Sequence, residues 1–220
     1  MKLVVGTFLT LDGVMQAPGG PEEDRSGGFE HGGWSVSYFD DVMSRVMTDW
    51  VEKADGLLLG RRTYEIFAAY WPHVTGDDPT TVKLNEVRKH VASRTLKRPE
   101  WNNSSVIQGD AVQAIRKLKG EPGDELQVHG SGDLIQTLLE AGLIDTFRLW
   151  IFPVVLGQGK RLFAGGAVPS RFELAETRTS STGVVLQVLH AAGSPTYGSF
   201  ALEQPTPEEM ERRRRNETGR

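Results

Sequence analysis

The run His129-Gly130-Ser131-Gly132 concentrates more potential chemistry than any other stretch of this sequence. Before it, Leu126 and Val128 alternate with polar neighbours as in a strand. After it, Leu134, Ile135, Leu138 and Leu139 follow helical spacing. A helix start has amide groups without intrahelical partners, and glycines let a bulky anion come close to the backbone. The turn therefore reads as a phosphate cradle, with Gly130, Ser131, Gly132, Asp133 and Leu134 as candidate contacts. Gly142 suits the left-handed turn that ends such a helix. The competing reading is plain geometry, because strand-to-helix turns need glycine whether or not they bind anything.

Two more strand ends carry anion-friendly residues. Ala54 to Leu59 runs through Gly60 into Arg61-Arg62-Thr63-Tyr64, where guanidinium and hydroxyl groups could hold phosphate by charge-assisted hydrogen bonds. Alone, such arginines would be a solvated surface pair. His90 to Ala92 ends in Ser93-Arg94-Thr95. If the three ends converge, they would hold the pyrophosphate and the 2′-phosphate of one dinucleotide, since arginine suits that dianion whereas NAD-selective sites use a carboxylate. The full Rossmann fingerprint is missing: Ile135 stands where a third glycine belongs, and the turn comes past mid-chain. Leu156-Gly157-Gln158-Gly159-Lys160 is a further candidate nest or simply a tight turn.

Acidic candidates are sparser. Asp12 sits in the turn Leu11 to Val14 at the end of strand one, Lys2 to Thr10, and strand ends are where sites gather in open α/β sheets. Asp40 and Asp41 fall in the first turn of a helix predicted over Tyr38 to Lys53, where carboxylates favour the helix dipole without doing chemistry. Residues 16 to 33 are rich in glycine, proline and acids, without periodicity, and read as a cover over a pocket.

Helices are predicted over Thr81 to Lys89 and from a capping box at Asp110 and Gln113 to Gly120. Strands are predicted over Val106 to Gln108, Ile144 to Val155, a hairpin of Phe172 to Thr179 with Val184 to His190, and Tyr197 to Leu202. One domain over 1–202 is expected, followed at 203–220 by a charged, frayed, partly helical tail. With 38% hydrophobic and 25% charged residues, the chain has globular composition. Its net charge of −4 argues against a nucleic-acid partner, and no apolar run approaches membrane-spanning length. The absence of cysteine excludes disulfides and thiolate metal sites and fits a cytoplasmic location.

The motifs T-L-D-G at 10 to 13, L-L-G-R-R-T-Y-E at 58 to 65, S-R-T-L at 93 to 96, H-G-S-G at 129 to 132 and P-V-V-L-G-Q-G-K-R-L-F at 153 to 163 occur in an order that carries a resemblance. Over about residues 2 to 200 the chain resembles the dihydrofolate reductase fold, specifically the C-terminal reductase domain of the riboflavin-biosynthesis protein RibD and its stand-alone bacterial relatives. The resemblance implies a three-layer α/β/α fold whose mixed, mostly parallel central sheet ends in an antiparallel hairpin. It also implies NADPH lying across the strand ends. Carried over by motif, Gly60, Arg61, Thr63 and Tyr64 would border the phosphates and adenosine, Ser93 and Arg94 the 2′-phosphate, and Gly130 to Leu134 the pyrophosphate. Thr7, Phe8, Val14 and Met15 would border the nicotinamide.

The carry-over stops at the substrate. Neither Asp40 nor Asp41 matches the carboxylate that dihydrofolate reductases keep on the first helix, so folate reduction is not implied. The expected activity is hydride transfer from NADPH to a carbonyl or imine of a small heterocyclic or sugar-derived substrate, with no metal. Asp12, Asp40 and His129 are the candidate proton donors, and His129 could equally be a structural histidine. Trp34, Tyr38, Trp71, Trp150 and Phe152 could line the substrate pocket or be core. The expected partners are a small-molecule substrate and a second copy in a homodimer. The rival is a non-catalytic homodimer that binds a nucleotide or another small ligand.

Overall fold

β1 (Lys2–Thr10) is buried on both faces over most of its length, which places it inside a sheet covered on both sides. It pairs in parallel with β5 (Glu125–His129) on one side and β6 (Thr146–Phe152) on the other. Beyond β5 lie β2 (Ala54–Gly60), β3 (Arg88–Ala92) and β4 (Ser104–Val106), all parallel. Beyond β6 the chain turns back as an antiparallel hairpin of β7 (Phe172–Thr179) and β8 (Val185–Ala191). The order is β4-β3-β2-β5-β1-β6-β8-β7 in one eight-stranded sheet of this computed structural model, which describes residues 1–163 and 167–217. The expected mixed, mostly parallel sheet with a C-terminal hairpin is the one observed.

Alternation along the strands divides the core between two helical layers. Leu3, Val5, Leu58, Leu126 and Val128 face α4 (Ala111–Lys119) and α5 (Gly132–Glu140), which contribute Ile115, Ile135 and Leu138. On the opposite face, Trp150 and Phe152 meet Met43 and Val46 of α1 (Asp41–Val51), while Leu57 and Leu59 meet Tyr64 of α2 (Arg61–Ala68) and Leu84 of α3 (Pro79–Glu86). α5 ends as its sequence dictates. Gly142 takes φ +61°, its amide donates to Leu139 and that of Leu143 to Leu138, which together satisfy the last carbonyls.

Several boundaries differ from expectation for identifiable reasons. α1 starts at Asp41 because Asp40 is extended and caps it, its carboxylate accepting from the Met43 amide at 2.9 Å. The predicted helix to Lys89 stops at Glu86, and Lys89 belongs to β3 instead. Its ammonium is buried, donates to the carbonyls of Asn85 and Asn102 at 2.6 and 3.0 Å, and lies 4.2 Å from the Trp101 ring centre. Burial lowers its pKa to about 8. β4 lies two residues earlier than predicted, and β6 stops before Pro153, which has no amide to donate. Tyr197 to Leu202 forms no strand, because no neighbouring edge takes it up. The charged tail carries α6 (Pro207–Glu217), a helix with no buried residue, tied by Arg–Glu pairs within itself.

Candidate functional site

The parallel strands β3, β2, β5 and β1 end along one edge of the sheet, so their following turns share a rim. They border a cleft of about 1600 Å³. The turns after β2 and β5 are locked to each other. Ser131 Oγ accepts from the Gly60 amide at 2.9 Å and donates to the His129 carbonyl at 2.9 Å, while the Ser131 amide donates to Thr63 Oγ1 at 3.0 Å. Gly130 and Ser131 both adopt left-handed backbone, φ +54° and +59°. A side chain on Gly130 would stand 3.0 Å from Thr63 Oγ1, so the glycine is required by both conformation and contact.

This locking leaves donors free toward the cleft. The amides of Gly132, Asp133 and Leu134, at the start of α5, have no acceptor among the described residues. Arg94, after β3, lines the cleft and has no hydrogen bond or ion pair there either. Ser93 Oγ accepts from the amides of Thr95 and Leu96 at 3.2 and 2.9 Å, which leaves its proton to donate. Arg61 also faces the cleft but is held by Glu65 at 3.0 Å. A polyanion with well-separated charges fits such a rim, since helix-start amides and guanidinium groups both favour phosphate.

Residues 16 to 33 form a strap whose first part borders the cleft. Gln16 donates to the carbonyls of Asp24 and Ser26, Trp34 Nε1 donates to the Gln16 carbonyl, and the Gly33 amide to that of Ala17. Asp24 pins the strap, 2.6 Å from Lys160 Nζ and 3.5 Å from Arg62. Gln16, Pro18, Glu23 and Asp24 line the cleft, whereas none of the residues from Arg25 to Gly33 does, so only the first part of the expected cover borders it. Burial raises the pKa of the Glu23 carboxyl above its ordinary value.

The floor of the cleft was not anticipated. Gly6 of β1 is flanked in register by His129 of β5 and Arg148 of β6. The Arg148 guanidinium grips Glu125 through two bonds of 2.7 and 2.6 Å, and both side chains are almost fully buried. Arg148 also lies 5.1 Å from the Trp50 ring centre, and its Nε is buried with no hydrogen-bond partner among the described residues. Gln127 Nε2 donates to Glu125 at 2.7 Å and to the Trp50 carbonyl at 2.6 Å, and Gln127 Oε1 is 3.2 Å from His129 Nε2. Burial first, and then the charge of Arg148, lowers the His129 pKa to about 4, so the ring is neutral near pH 7. The signal was present in sequence as Glu125, Gln127 and His129 at alternate positions, but a polar row in a strand gains meaning only once the strand is known to be central.

The predicted residues divide accordingly. Thr7, Phe8, Met15, Gly60, Arg61 and Thr63 line the cleft, as do Ser93, Arg94 and the whole turn from His129 to Leu134. Trp71 and Trp150 line it too. Val14 does not: it is fully buried under the turn after β1 and bridges to Arg161. Tyr64 is core, its hydroxyl accepting from the Trp101 amide at 2.9 Å. Trp34, Tyr38 and Phe152 pack on one another beneath the strap, with ring centres 5.2 and 5.8 Å from Phe152. Asp12 faces away, accepting from Thr10 Oγ1, from the amides of Leu156 and Gly157 and from Arg161, which hold its carboxyl far below the usual range. Asp40 is spent on Met43 and Ser181, and those bonds lower its pKa as well. Both carboxylates are therefore clamps between segments rather than acids at the cleft.

Among the described residues no cluster of three or more His, Asp or Glu is placed to hold a metal, and no helix is long and apolar enough to cross a membrane. Similarity to known proteins agrees with the fold. The uncharacterized protein YyaP of Bacillus subtilis is 32% identical over 197 residues, covering 87% of this chain and 96% of YyaP. A crystal structure of a Shewanella sp. PV-4 protein assigned to riboflavin biosynthesis superposes with a TM-score of 0.65 at 22% identity, covering 87% of this chain and 99% of that one. A pyrimidine reductase-like protein from Corynebacterium diphtheriae follows at 0.59 and 12%, with 87% and 92% covered. The model of the RibD C-terminal domain matches residues 1–186, a span that holds every strand-end turn bordering the cleft, and the chain belongs to that reductase-like family.

Proposed function

We propose that this protein is an NADPH-dependent reductase acting on a carbonyl or imine of a small heterocyclic or sugar-derived substrate. The observation that carries this reading is the rim of the cleft, where the amides of Gly132 to Leu134 and the Arg94 guanidinium, without partners among the described residues, face one space. The α5 amides would take the pyrophosphate, with Arg94 and the Ser93 hydroxyl on the 2′-phosphate. When bound, the cofactor supplies the hydride. The chain's own contribution is to orient it: Thr7, Phe8 and Met15 border the central part of the cleft, and the strap from Gln16 to Asp24 limits access of water.

Asp12 and Asp40 are tied elsewhere and His129 is neutral, so the accompanying proton comes from solvent or from Glu23, the cleft carboxyl whose pKa burial raises. That same shortage of a free acid favours one second reading, a homodimeric protein that binds the nucleotide without turning it over.

Trp50, Trp71 and Trp150 line the cleft, so quenching of tryptophan emission reports binding. Saturable quenching by NADPH, followed by its oxidation in the presence of pterins, flavin precursors or quinones, is the expected result. Binding without oxidation on any of these favours the second reading, and no binding removes both. Arg94→Ala is expected to weaken NADPH about 10- to 100-fold, the loss of a charge-assisted contact, and to leave NADH nearly unchanged. Equal losses for the two cofactors would take Arg94 out of the 2′-phosphate site.

A further inference from the structure

The four polar side chains on the cleft floor are bonded in one order, and that order fixes where each proton sits. Glu125 and the Trp50 carbonyl have only lone pairs to offer, so the group of Gln127 that meets them at 2.7 and 2.6 Å must be its NH2. The Gln127 amide is thereby oriented, and its Oε1 faces His129 Nε2 at 3.2 Å. An amide oxygen only accepts. Nε2 must carry the imidazole proton, and a neutral ring then has a bare lone pair on Nδ1.

Nδ1 has no partner among the described residues. It is the ring atom nearest to where a side chain on Gly6 would begin, 3.7 Å from that position. Because Gly6 has no side chain, the space in front of Nδ1 stays open, and Gly6, Gln127, His129 and Arg148 all border the cleft. Around this polar spot the walls are aromatic, with Phe8, Trp50, Phe67 and Trp150.

We infer that His129 is a specificity-determining hydrogen-bond acceptor: Nδ1, its tautomer set by the chain Arg148–Glu125–Gln127, selects a planar ligand that presents an N–H or O–H donor to the cleft floor. This deepens the reductase reading and rests on the same cleft being its substrate site. It also assigns His129 a role other than proton donation. Arg148 and Glu125 act through Gln127 as positioning residues. A ligand presenting a carbonyl or carboxylate oxygen to Nδ1 is rejected, because two acceptors would face each other without a proton.

The test uses the full chain with ¹⁵N-labelled imidazoles, saturated with NADPH, and His129→Leu to assign the signals. Aniline and toluene are the probes, since they share a shape and differ in the N–H donor. The expected result is a neutral His129 ring with its proton on Nε2 down to about pH 5, a shift of the Nδ1 resonance on adding aniline, and none on adding toluene. Aniline binding is expected to fall about fivefold in His129→Leu, the size of one neutral hydrogen bond, with toluene unaffected. Gln127→Leu is expected to release a mixture of the two tautomers. A proton on Nδ1, a ring that titrates near pH 6.5, or equal responses to aniline and toluene would overturn the inference. NADPH quenching and oxidation on the same samples are read separately, so failure of the reductase reading shows as lost cofactor binding or as binding without oxidation while the tautomer result stands.

Discussion

The rim and the floor of the cleft solve opposite problems. On the rim, Arg94 and the first α5 amides, Gly132 to Leu134, have no partners among the described residues, whereas on the floor Arg148, Glu125 and Gln127 are nearly all paired with one another. Exposed donors cost little while water solvates them, so a turn at the surface can wait for a charged ligand. A buried guanidinium has no such recourse and must be matched by the chain itself. On the proposed reading, the difference teaches that affinity for a polyanion would be held in reserve at the surface, while discrimination of a small neutral group would be built into the fold.

Substitutions that separate stability from binding sharpen this contrast. The largest effect is expected for Glu125→Gln, which leaves Arg148 buried without its countercharge and should cost about 3–5 kcal/mol in urea unfolding. Adding Arg148→Met should recover most of that loss, because removing both charges is far cheaper than removing one. Failure of the second change to recover stability would show that the pair is not the source. On the rim, Arg94→Ala should move stability by less than about 0.5 kcal/mol while weakening NADPH. Comparable stability losses at Arg94 and Glu125 would erase the contrast.

Gly130→Ala lies between the two, since the glycine is on the rim but its conformation is fixed by Thr63. The left-handed backbone and the 3.0 Å approach predict a loss of about 1–2 kcal/mol together with weaker NADPH binding. A stable variant with normal affinity would mean that the turn adjusts freely.

The pH dependence of the floor is of similar size. His129 has a folded pKa of about 4 against 6.5 for a free ring, so the unfolded chain takes up the proton first. Its contribution to stability is complete above pH 6.5 and is lost as the pH falls through 4, on the order of 1–2 kcal/mol for this half-buried side chain. Thermal unfolding of the native chain and His129→Gln between pH 7 and 4 should show the native midpoint falling more steeply. Parallel curves would remove His129 from the titration.

Much of the rim was legible in the sequence. Gly60-Arg61, Ser93-Arg94 and His129-Gly130-Ser131-Gly132 each sit where a strand period gives way to a turn, and local backbone geometry is encoded over a few residues. Roles that depend on burial were not legible in the same way. Tyr64 follows Arg61-Arg62-Thr63 in sequence yet turns into the core, and Asp12 ends strand one yet closes onto Leu156 and Gly157, 144 and 145 residues later. Trp34, Tyr38 and Phe152 are aromatic at plausible pocket positions, and nothing in their spacing says which face they take.

What the sequence determined by itself is therefore punctuation and period: the start of α5, its left-handed end at Gly142, the hairpin, and the glycines that bring the turns after β2 and β5 together. What the tertiary structure alone decided is partnership. Lys89 became a buried strand residue over Trp101, Asp40 a cap that also binds Ser181, and His129 the last member of a chain that begins at Arg148. The reason is physical. Turn geometry is set by neighbours along the chain, whereas a proton's position or a buried charge's countercharge depends on groups that only the assembled sheet brings into hydrogen-bond range.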